Sequence, residues 1–274
     1  MRIVVTGGGC GVDADLPAER VRLEAIQRNV DSHTFLVIEG LPLASSWNCL
    51  ELGAGAGSIA YWLAGRCPEG RVVAADIDTR YLDATRAPNL EIQQVDVTDE
   101  EYAPAGFDLI HARYLFCHLP ARDAVLARAV GWLNPGGWLV IEDPYLLPAD
   151  TSPFPLVQRL MAAYARTYAE RGADLMWARG LPAQLARNGL VDVGFTGNLG
   201  CMGCLGKDRW LPLIRQMAPS LLADGLVTEA DLNQFGDLLK DPTFVDIPQF
   251  TISAWGRARV ASGAVELEVP LRSG

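Results

Sequence analysis

The sequence predicts an α/β fold with a doubly wound, mostly parallel seven-stranded sheet and a helical lid insertion. Short apolar runs alternate with amphipathic helical segments between residues 47 and 142, the pattern of a parallel sheet that is covered on both faces. Several of these runs stop at a glycine or an aspartate. A second segment with helical periodicity separates the last two apolar runs.

The individual elements are predicted in order along the chain. Strands are predicted over residues 47–52, 71–75, 90–95, 107–111, 138–142, 190–196 and 250–256. Helices are predicted over residues 17–40, 57–66, 81–87, 120–133, 153–171, 181–188, 207–223 and 228–240. We expect an N-terminal arm and helix at 1–40 and one domain at 41–274, in which the insertion 200–245 can close over a ligand.

Composition narrows the classes of partner and of cell compartment. The 274 residues are 50% hydrophobic and 20% charged, with a net charge of −10, so an acidic surface argues against nucleic acid as a partner. No run of roughly 18 apolar residues is present, which argues against a membrane span. The six cysteines are scattered, as expected for reduced thiols in the cytoplasm, and the start of the chain does not resemble a secretory signal.

The first predicted strand ends in a glycine-rich loop. Residues 51–57 read Glu-Leu-Gly-Ala-Gly-Ala-Gly. Glycine lets the chain turn sharply at a strand end and lets a ligand approach the backbone. A dinucleotide fingerprint needs a further glycine where this chain has Ser58. The loop therefore favours a nucleotide-like ligand and argues against an NAD-dependent oxidoreductase, although a tight turn without a ligand stays an alternative.

Acidic residues follow the next two strands. Asp76 ends the second strand, where a carboxylate can accept both hydroxyls of a ribose. Asp96 ends the third strand, where a carboxylate can accept from an exocyclic amine of adenine. Both residues could instead cap a helix or a turn. Because parallel strands present their carboxyl ends at one edge, the two aspartates and the glycine loop are expected to lie together.

A larger set of motifs resembles a known family. The segments are residues 107–111, Leu119-Pro120, residues 133–142 and the final run 251–256. With the loop and the aspartates, they resemble class I S-adenosylmethionine (SAM)-dependent methyltransferases, particularly the small-molecule branch related to quinone-biosynthesis C-methyltransferases. The resemblance runs from Cys49 to about Asp143. It implies a Rossmann-like methyltransferase fold and S-adenosyl-L-methionine as the cofactor.

The resemblance also implies which residues hold the cofactor. They follow the first four strands: Glu51, Gly53, Ala54, Gly55, Asp76, Ile77, Asp96, Val97 and Arg113. Many relatives carry two adjacent histidines before the Leu-Pro pair, whereas this chain has Cys117-His118. Cys117 stands where those relatives have the first histidine, so no role of that histidine can be carried over to this chain.

Three residues are candidates for acid–base catalysis, because a nucleophile that must lose a proton benefits from a base. They are His118, His111 and Asp143, with Tyr145 as a further candidate. No metal site is expected. The C-x-x-C pair Cys201 and Cys204 would need a second pair or two nearby histidines, and the chain has three histidines in all.

We expect methyl transfer to an O, N or C nucleophile of a small molecule, either aromatic or a secondary metabolite. The apolar residues of the predicted lid suit such an acceptor, although a stripe of this kind is also the ordinary core face of a helix. The alternative is a SAM-binding protein of the same fold that transfers no methyl group, such as a cyclase or a binding module. A second copy of the chain, as a homodimer, is the remaining candidate partner.

Overall fold

The computed structural model describes residues 16–203 and 209–260. Its helices are α1 (Leu16–Glu39), α2 (Ser58–Arg66), α3 (Arg122–Gly131), α4 (Pro155–Glu170), α5 (Leu181–Arg187), α6 (Trp210–Ala223) and α7 (Glu229–Leu238). Its strands are β1 (Cys49–Leu52), β2 (Val72–Asp76), β3 (Leu90–Gln94), β4 (Phe107–Arg113), β5 (Leu133–Leu146), β6 (Val191–Met202) and β7 (Asp246–Arg257).

The strands form one seven-stranded sheet in the order β3-β2-β1-β4-β5-β7-β6. Strands β1 to β5 pair in parallel, and β7 pairs antiparallel with both β5 and β6. The predicted α/β fold with a mostly parallel seven-stranded sheet is therefore confirmed, whereas a lid role of the helical insertion stays a prediction. The strand order reverses between β1 and β4, and ligands of open α/β sheets bind outside the carboxyl ends of the strands at such a point.

Apolar residues on the two faces of the sheet form separate cores. Helix α2 packs on one face through residues such as Leu63, and α3 and α5 pack on the other through residues such as Leu126 and Leu185. A third core joins α1 and α4 to the inserted helices α6 and α7, with Trp210 and Phe235 fully buried in it. We call α4, α6 and α7 the cap. The apolar stripe predicted in the insertion is thus largely the core face of the cap.

The helix predicted over residues 81–87 is wrong, because only a single 3-10 turn forms there, Ala84–Arg86. The Asp83 side chain accepts a hydrogen bond from the Thr85 N–H and so caps a tight turn. Ala87 precedes a proline and is extended, at φ −153° and ψ 140°, as expected for a residue in that position.

The last three strands are longer than predicted. Strand β5 begins at Leu133, since the Asn-Pro-Gly-Gly segment that follows is part of the strand and not a break before it. The pairing register of β4 with β5 shifts in this region, and Gly136 has a φ of 85°. Strand β6 alternates exposed and half-buried side chains, and strand β7 alternates half-buried and buried ones, several of them polar. A search for continuous apolar runs detects such strands poorly.

The cysteines differ in their chemistry. Cys49, Cys67 and Cys117 are buried free thiols, as predicted. Cys201 is disulfide-bonded, which corrects the expectation of a reduced thiol at that position. Cys10 and Cys204 lie outside the described residues, so only Cys201 of the C-x-x-C pair is described. Within residues 16–203 and 209–260, no helix combines the length and the apolar character needed to cross a membrane.

Candidate functional site

The glycine loop connects β1 to α2 in a backbone conformation that favours glycine. Gly53, Gly55 and Gly57 have φ angles of 68°, 55° and 82°, all in the left-handed region. A Cβ on Gly57 would lie 2.6 Å from the Tyr61 ring. The Gly53 N–H donates to the Ala75 carbonyl at 2.8 Å, so the loop is tied to the end of β2.

Asp76 reinforces that tie with its side chain. Its Oδ2 accepts from the Gly55 N–H at 2.7 Å, and its Oδ1 accepts from the Asp78 N–H at 2.9 Å. Burial raises the pKa of Asp76. A carboxylate therefore stands directly beside the glycine loop, at the position predicted from the sequence.

The residues predicted to surround adenine lie at the same edge of the sheet. Ile77 is half-buried just after β2, and Val97 is buried after β3. Asp96 is exposed, and its Oδ1 accepts from the N–H and the hydroxyl of Thr98 at 2.9 and 2.6 Å. Asp96 thus caps a turn, the alternative role predicted for it, and its carboxylate is at the same time exposed to solvent.

A buried polar network crosses the sheet beneath the loop. His111 Nδ1 lies 2.6 Å from Glu51 Oε2, and His111 Nε2 lies 3.2 Å from Glu142 Oε2. Burial opposes the charged form of His111, but the two carboxylates outweigh it and raise its pKa to about 9. Burial also opposes ionisation of Glu142, yet the hydrogen bond with His111 outweighs it and lowers the pKa of Glu142 to about 2. Burial raises the pKa of Glu51.

Two of the predicted catalytic residues are enclosed by protein. His111 has both ring nitrogens engaged and none of its side chain exposed. Asp143 is equally buried, and its Oδ2 accepts from the Cys117 N–H at 2.8 Å, while its Oδ1 has no hydrogen-bond partner. Burial raises the pKa of Asp143 to about 8, so at neutral pH it is protonated. These contacts favour a supporting role for both residues, and a catalytic role of either stays a prediction.

Helix α1 lies over the site and is held there by Arg113. The Arg113 guanidinium donates to Asp31 Oδ1 at 2.7 Å and to Thr34 Oγ1 at 2.8 Å. Leu23 of α1 lies 3.2 Å from the place of a Cβ on Gly55. Arg113 therefore acts on the predicted cofactor site through α1, and residues on both sides of the predicted boundary at residue 40 build that site.

A continuous series of ring contacts runs from the segment after β4 into the cap. The His118 and Tyr168 rings are tilted by 39° with centroids 5.4 Å apart, Tyr168 lies 4.7 Å from Tyr164, and Tyr164 lies 5.7 Å from Trp210. The Arg209 guanidinium then lies over the rings of Trp210 and Tyr114, at 5.6 and 5.4 Å. We call this set the aromatic row: His118, Tyr168, Tyr164, Trp210, Arg209 and Tyr114.

Polar atoms without a hydrogen-bond partner occur at both ends of the aromatic row. They are His118 Nδ1 and Arg209 Nη2, both buried. Burial, together with the nearby Arg22 and Arg122 guanidinia, lowers the pKa of His118 to about 4, so this residue is neutral at neutral pH. Tyr114 has a φ of 54°, a strained backbone of the kind that concentrates at functional sites. Buried polar groups without a partner in a folded protein call for an explanation such as water or a ligand.

Of the aromatic row, His118 and the insertion residue Trp210 are predicted from the sequence, whereas Tyr168, Tyr164, Arg209 and Tyr114 are not. Tyr114 directly follows β4, and the rule that ligands bind after the strands could have found it. Arg209, Tyr164 and Tyr168 carry no such signal, because their neighbourhood depends on how the cap folds back. Among the residues that the structure describes, no group of three His, Cys, Asp or Glu side chains is arranged to hold a metal ion.

Comparison with known proteins places the chain in a family. A family model described as "Methyltransferase domain" matches residues 18–193. The chain belongs to this family. The match confirms the resemblance predicted from the motifs, whereas the narrower likeness to quinone-biosynthesis enzymes stays a prediction.

Curated relatives of this methyltransferase-family chain match slightly less than half of it. Methyltransferase str3 of Strobilurus tenacellus is 33% identical over 128 residues, and trans-aconitate 2-methyltransferase of Methylobacterium radiotolerans is 33% identical over 129 residues. Each match covers 46% of this chain and 46% of the relative. The match therefore spans about half the length of these relatives.

Solved structures share the fold across nearly the whole methyltransferase-family chain. The geranyl diphosphate C-methyltransferase from Streptomyces coelicolor A3(2), in complex with Mg²⁺, geranyl diphosphate and S-adenosyl-L-homocysteine, gives a TM-score of 0.52 at 16% identity. That likeness covers 92% of this chain and 87% of the other. Phosphoethanolamine N-methyltransferase 2 of Haemonchus contortus gives 0.52 at 15% identity, covering 93% and 54%. At 15–16% identity, these structures show only that the fold is shared.

Proposed function

We propose that the chain transfers a methyl group from SAM to a small-molecule acceptor held beneath the cap. The observation that carries the proposal is the position of two features on either side of the strand-order reversal. The glycine loop with Asp76 follows β1 and β2, and the aromatic row begins at Tyr114, directly after β4. A nucleotide-like group and an acceptor would thus meet at the site where ligands of this sheet architecture bind.

The residues on the β1–β3 side fit SAM. The loop glycines leave room for close approach to the backbone, and the Asp76 carboxylate stands where ribose hydroxyls would donate to it. The exposed carboxylate of Asp96 would accept from the adenine amine, with Ile77 and Val97 as apolar neighbours. When bound, SAM supplies an electrophilic methyl group on a sulfonium.

The chain's own contribution is to orient the acceptor and to exclude water. Correct placement of two reacting groups can supply on the order of 7–11 kcal/mol of the barrier reduction. The cap core covers the carboxyl ends of β4 and β5 with apolar residues, which favours an acceptor with an aromatic or aliphatic body. The printed names of trans-aconitate 2-methyltransferase, geranyl diphosphate C-methyltransferase and coclaurine N-methyltransferase each refer to a small molecule, which supports an acceptor of this size.

His118 is the residue we assign as the base. It is neutral at neutral pH because its pKa is about 4, and its Nδ1 has no hydrogen-bond partner. A pKa this low makes His118 a weak base by itself, and a base that is well matched to the working pH contributes about 10²–10⁴-fold in rate. Burial, with Arg22 and Arg122, holds the pKa of His118 low, so an anionic acceptor placed near the two guanidinia would raise this pKa and strengthen the base.

The proposal is tested by binding followed by transfer. Isothermal titration with S-adenosylhomocysteine should show one site per chain, and methyl-labelled SAM incubated with cell extracts should give a labelled small molecule. The wild type should form the labelled product. His118→Ala should bind S-adenosylhomocysteine normally but form the labelled product about 10²–10⁴-fold more slowly. Binding without any labelled product would favour the alternative of a SAM-binding protein that transfers nothing. Binding of NADH in place of S-adenosylhomocysteine would refute the proposal. A cytoplasmic location and a homodimer stay predictions.

A further inference from the structure

Arg209 is a buried cation that forms no ion pair within the part of the chain that the structure describes. Only 3% of its surface is exposed, and its Nη1 donates to the Tyr114 hydroxyl at 2.6 Å. Its Nη2 is buried and has no hydrogen-bond partner. Among residues 16–203 and 209–260, no carboxylate forms an ion pair with Arg209.

The other buried arginines of the site are neutralised by carboxylates. Arg22 donates to Glu19 at 2.9 Å, and Arg113 donates to Asp31 at 2.7 Å. Removing a guanidinium from water is costly unless a negative charge compensates it. Arg209 has hydroxyl and ring contacts in place of such a charge, so an anion from outside would remove the imbalance.

The protein backbone makes room for this guanidinium. A Cβ on Gly200 of β6 would lie 2.7 Å from Arg209 Nη2 and 2.8 Å from Gln249 Cγ, so the guanidinium packs directly against the backbone at that position. On the other side, Tyr114 adopts its left-handed φ of 54° and its hydroxyl lies 2.5 Å from Thr251 Oγ1. A space for the guanidinium on one side and a strained tyrosine on the other indicate a built site.

This site lies on the acceptor side of the sheet. Tyr114 follows β4, and its N–H donates to the Glu142 carbonyl of β5 at 2.8 Å. The glycine loop and Asp76 lie beyond the strand-order reversal, on β1 and β2. An anion at Arg209 would therefore belong to the acceptor and not to the cofactor.

We propose that Arg209, supported by Tyr114, binds a carboxylate group of the acceptor. The inference rests on the proposed function and specifies its substrate class: an aromatic or aliphatic carboxylic acid. One unpaired guanidinium matches the single charge of a carboxylate, whereas a phosphate monoester carries about 1.5 to 2 negative charges. Guanidinium and carboxylate also match in planar geometry. Because Nη2 is enclosed, a carboxylate can contact it only after neighbouring groups move aside.

The test compares charged and neutral probes of the same shape. Protein saturated with S-adenosylhomocysteine is titrated calorimetrically with benzoate and benzamide, with octanoate and octanamide, and with phenyl phosphate. The variants are Arg209→Gln, which removes the charge, and Arg209→Lys, which keeps the charge but not the planar fork. Arg166→Gln is the matched control, since Arg166 lies exposed on α4 and pairs with Glu170 at 2.8 Å.

In the wild type we expect at least one carboxylate to bind about tenfold or more tightly than its amide. Arg209→Gln should abolish that preference, Arg209→Lys should keep part of it, and Arg166→Gln should keep all of it. The inference is overturned if no carboxylate is preferred, if the preference survives in Arg209→Gln, or if phenyl phosphate binds more tightly than benzoate. The affinity for S-adenosylhomocysteine is measured first in every variant, and its absence from the wild type would reject the proposed function itself.

Discussion

Replacing Asp76 with alanine tests the assignment of the cofactor site. The Asp76 carboxylate accepts from two backbone N–H groups, at 2.7 and 2.9 Å, and in the proposed complex it also accepts from the ribose. A hydrogen bond to a charged group contributes about 1.5–3 kcal/mol. Loss of the ribose interaction alone should therefore weaken binding of S-adenosylhomocysteine about tenfold or more. Release of the loop adds a loss of folding stability of about 1–3 kcal/mol.

The assay is isothermal titration with S-adenosylhomocysteine, accompanied by urea unfolding to show that each variant is folded. Asp78→Ala is the matched control. The Asp78 carboxylate pairs with Arg80 at 2.8 Å, so its removal should leave the affinity for S-adenosylhomocysteine unchanged. Asp76→Asn keeps an acceptor for one N–H and should fall between alanine and the wild type. A folded Asp76→Ala protein with wild-type affinity would refute the assignment, and equal losses in the Asp76 and Asp78 variants would show a general charge effect.

Three further predictions follow from the same geometry. Gly55→Ala places a Cβ at a φ of 55° and 3.2 Å from Leu23. Urea unfolding should therefore show a loss of about 1–2 kcal/mol in the free energy of unfolding, and calorimetry should show weaker binding of S-adenosylhomocysteine. If neither value changes, the backbone strain argued for this position is refuted. Asp143→Asn should keep methyl transfer, and should keep stability within about 1 kcal/mol, because Asp143 with a pKa of about 8 is already neutral at pH 7. A normally folded variant with a large loss of kcat would show instead that Asp143 acts as a base. Glu142 has a pKa of about 2 in place of 4.5, so its stabilisation is complete above pH 4.5 and disappears as the pH falls through 2. Glu142→Gln should cost about 3–5 kcal/mol at neutral pH and flatten the acid limb of a plot of stability against pH, and an unchanged plot would refute the role of the network.

The sheet and the cofactor side of the site could be predicted because their signals are local in sequence. Apolar runs mark the parallel strands, and the glycine loop and Asp76 lie within about 25 residues of each other, the spacing of a strand–helix–strand unit. The acceptor side could not be predicted in the same way. Arg209 meets Tyr114 only after β6 and β7 pair and α6 folds back, so no spacing along the chain marks that contact.

Buried histidine and acid residues also resisted prediction. His111 and Asp143 occupy the ends of β4 and β5, where catalytic residues of this architecture are found, and the sequence alone gives no sign of their hydrogen-bond partners. The partners of His111 come from β1 and β5, and the partner of Asp143 is the backbone of the loop after β4. A titratable residue after a strand can thus be part of the support of a site as readily as part of its chemistry.

The place of β7 has a consequence for synthesis of the chain. It follows β5 and β6 along the chain, yet it lies between them in the sheet. Until residues 246–257 leave the ribosome, β5 and β6 cannot be joined, and both present open edges that favour aggregation. Ser253 of β7 donates to Glu142 and lies 3.1 Å from His33 of α1, so β7 adds a contact to the helix that Arg113 also holds over the glycine loop. The sheet should therefore be completed only after residues 246–257 have been translated, and the capacity of the nascent chain to bind S-adenosylhomocysteine should rise at that point.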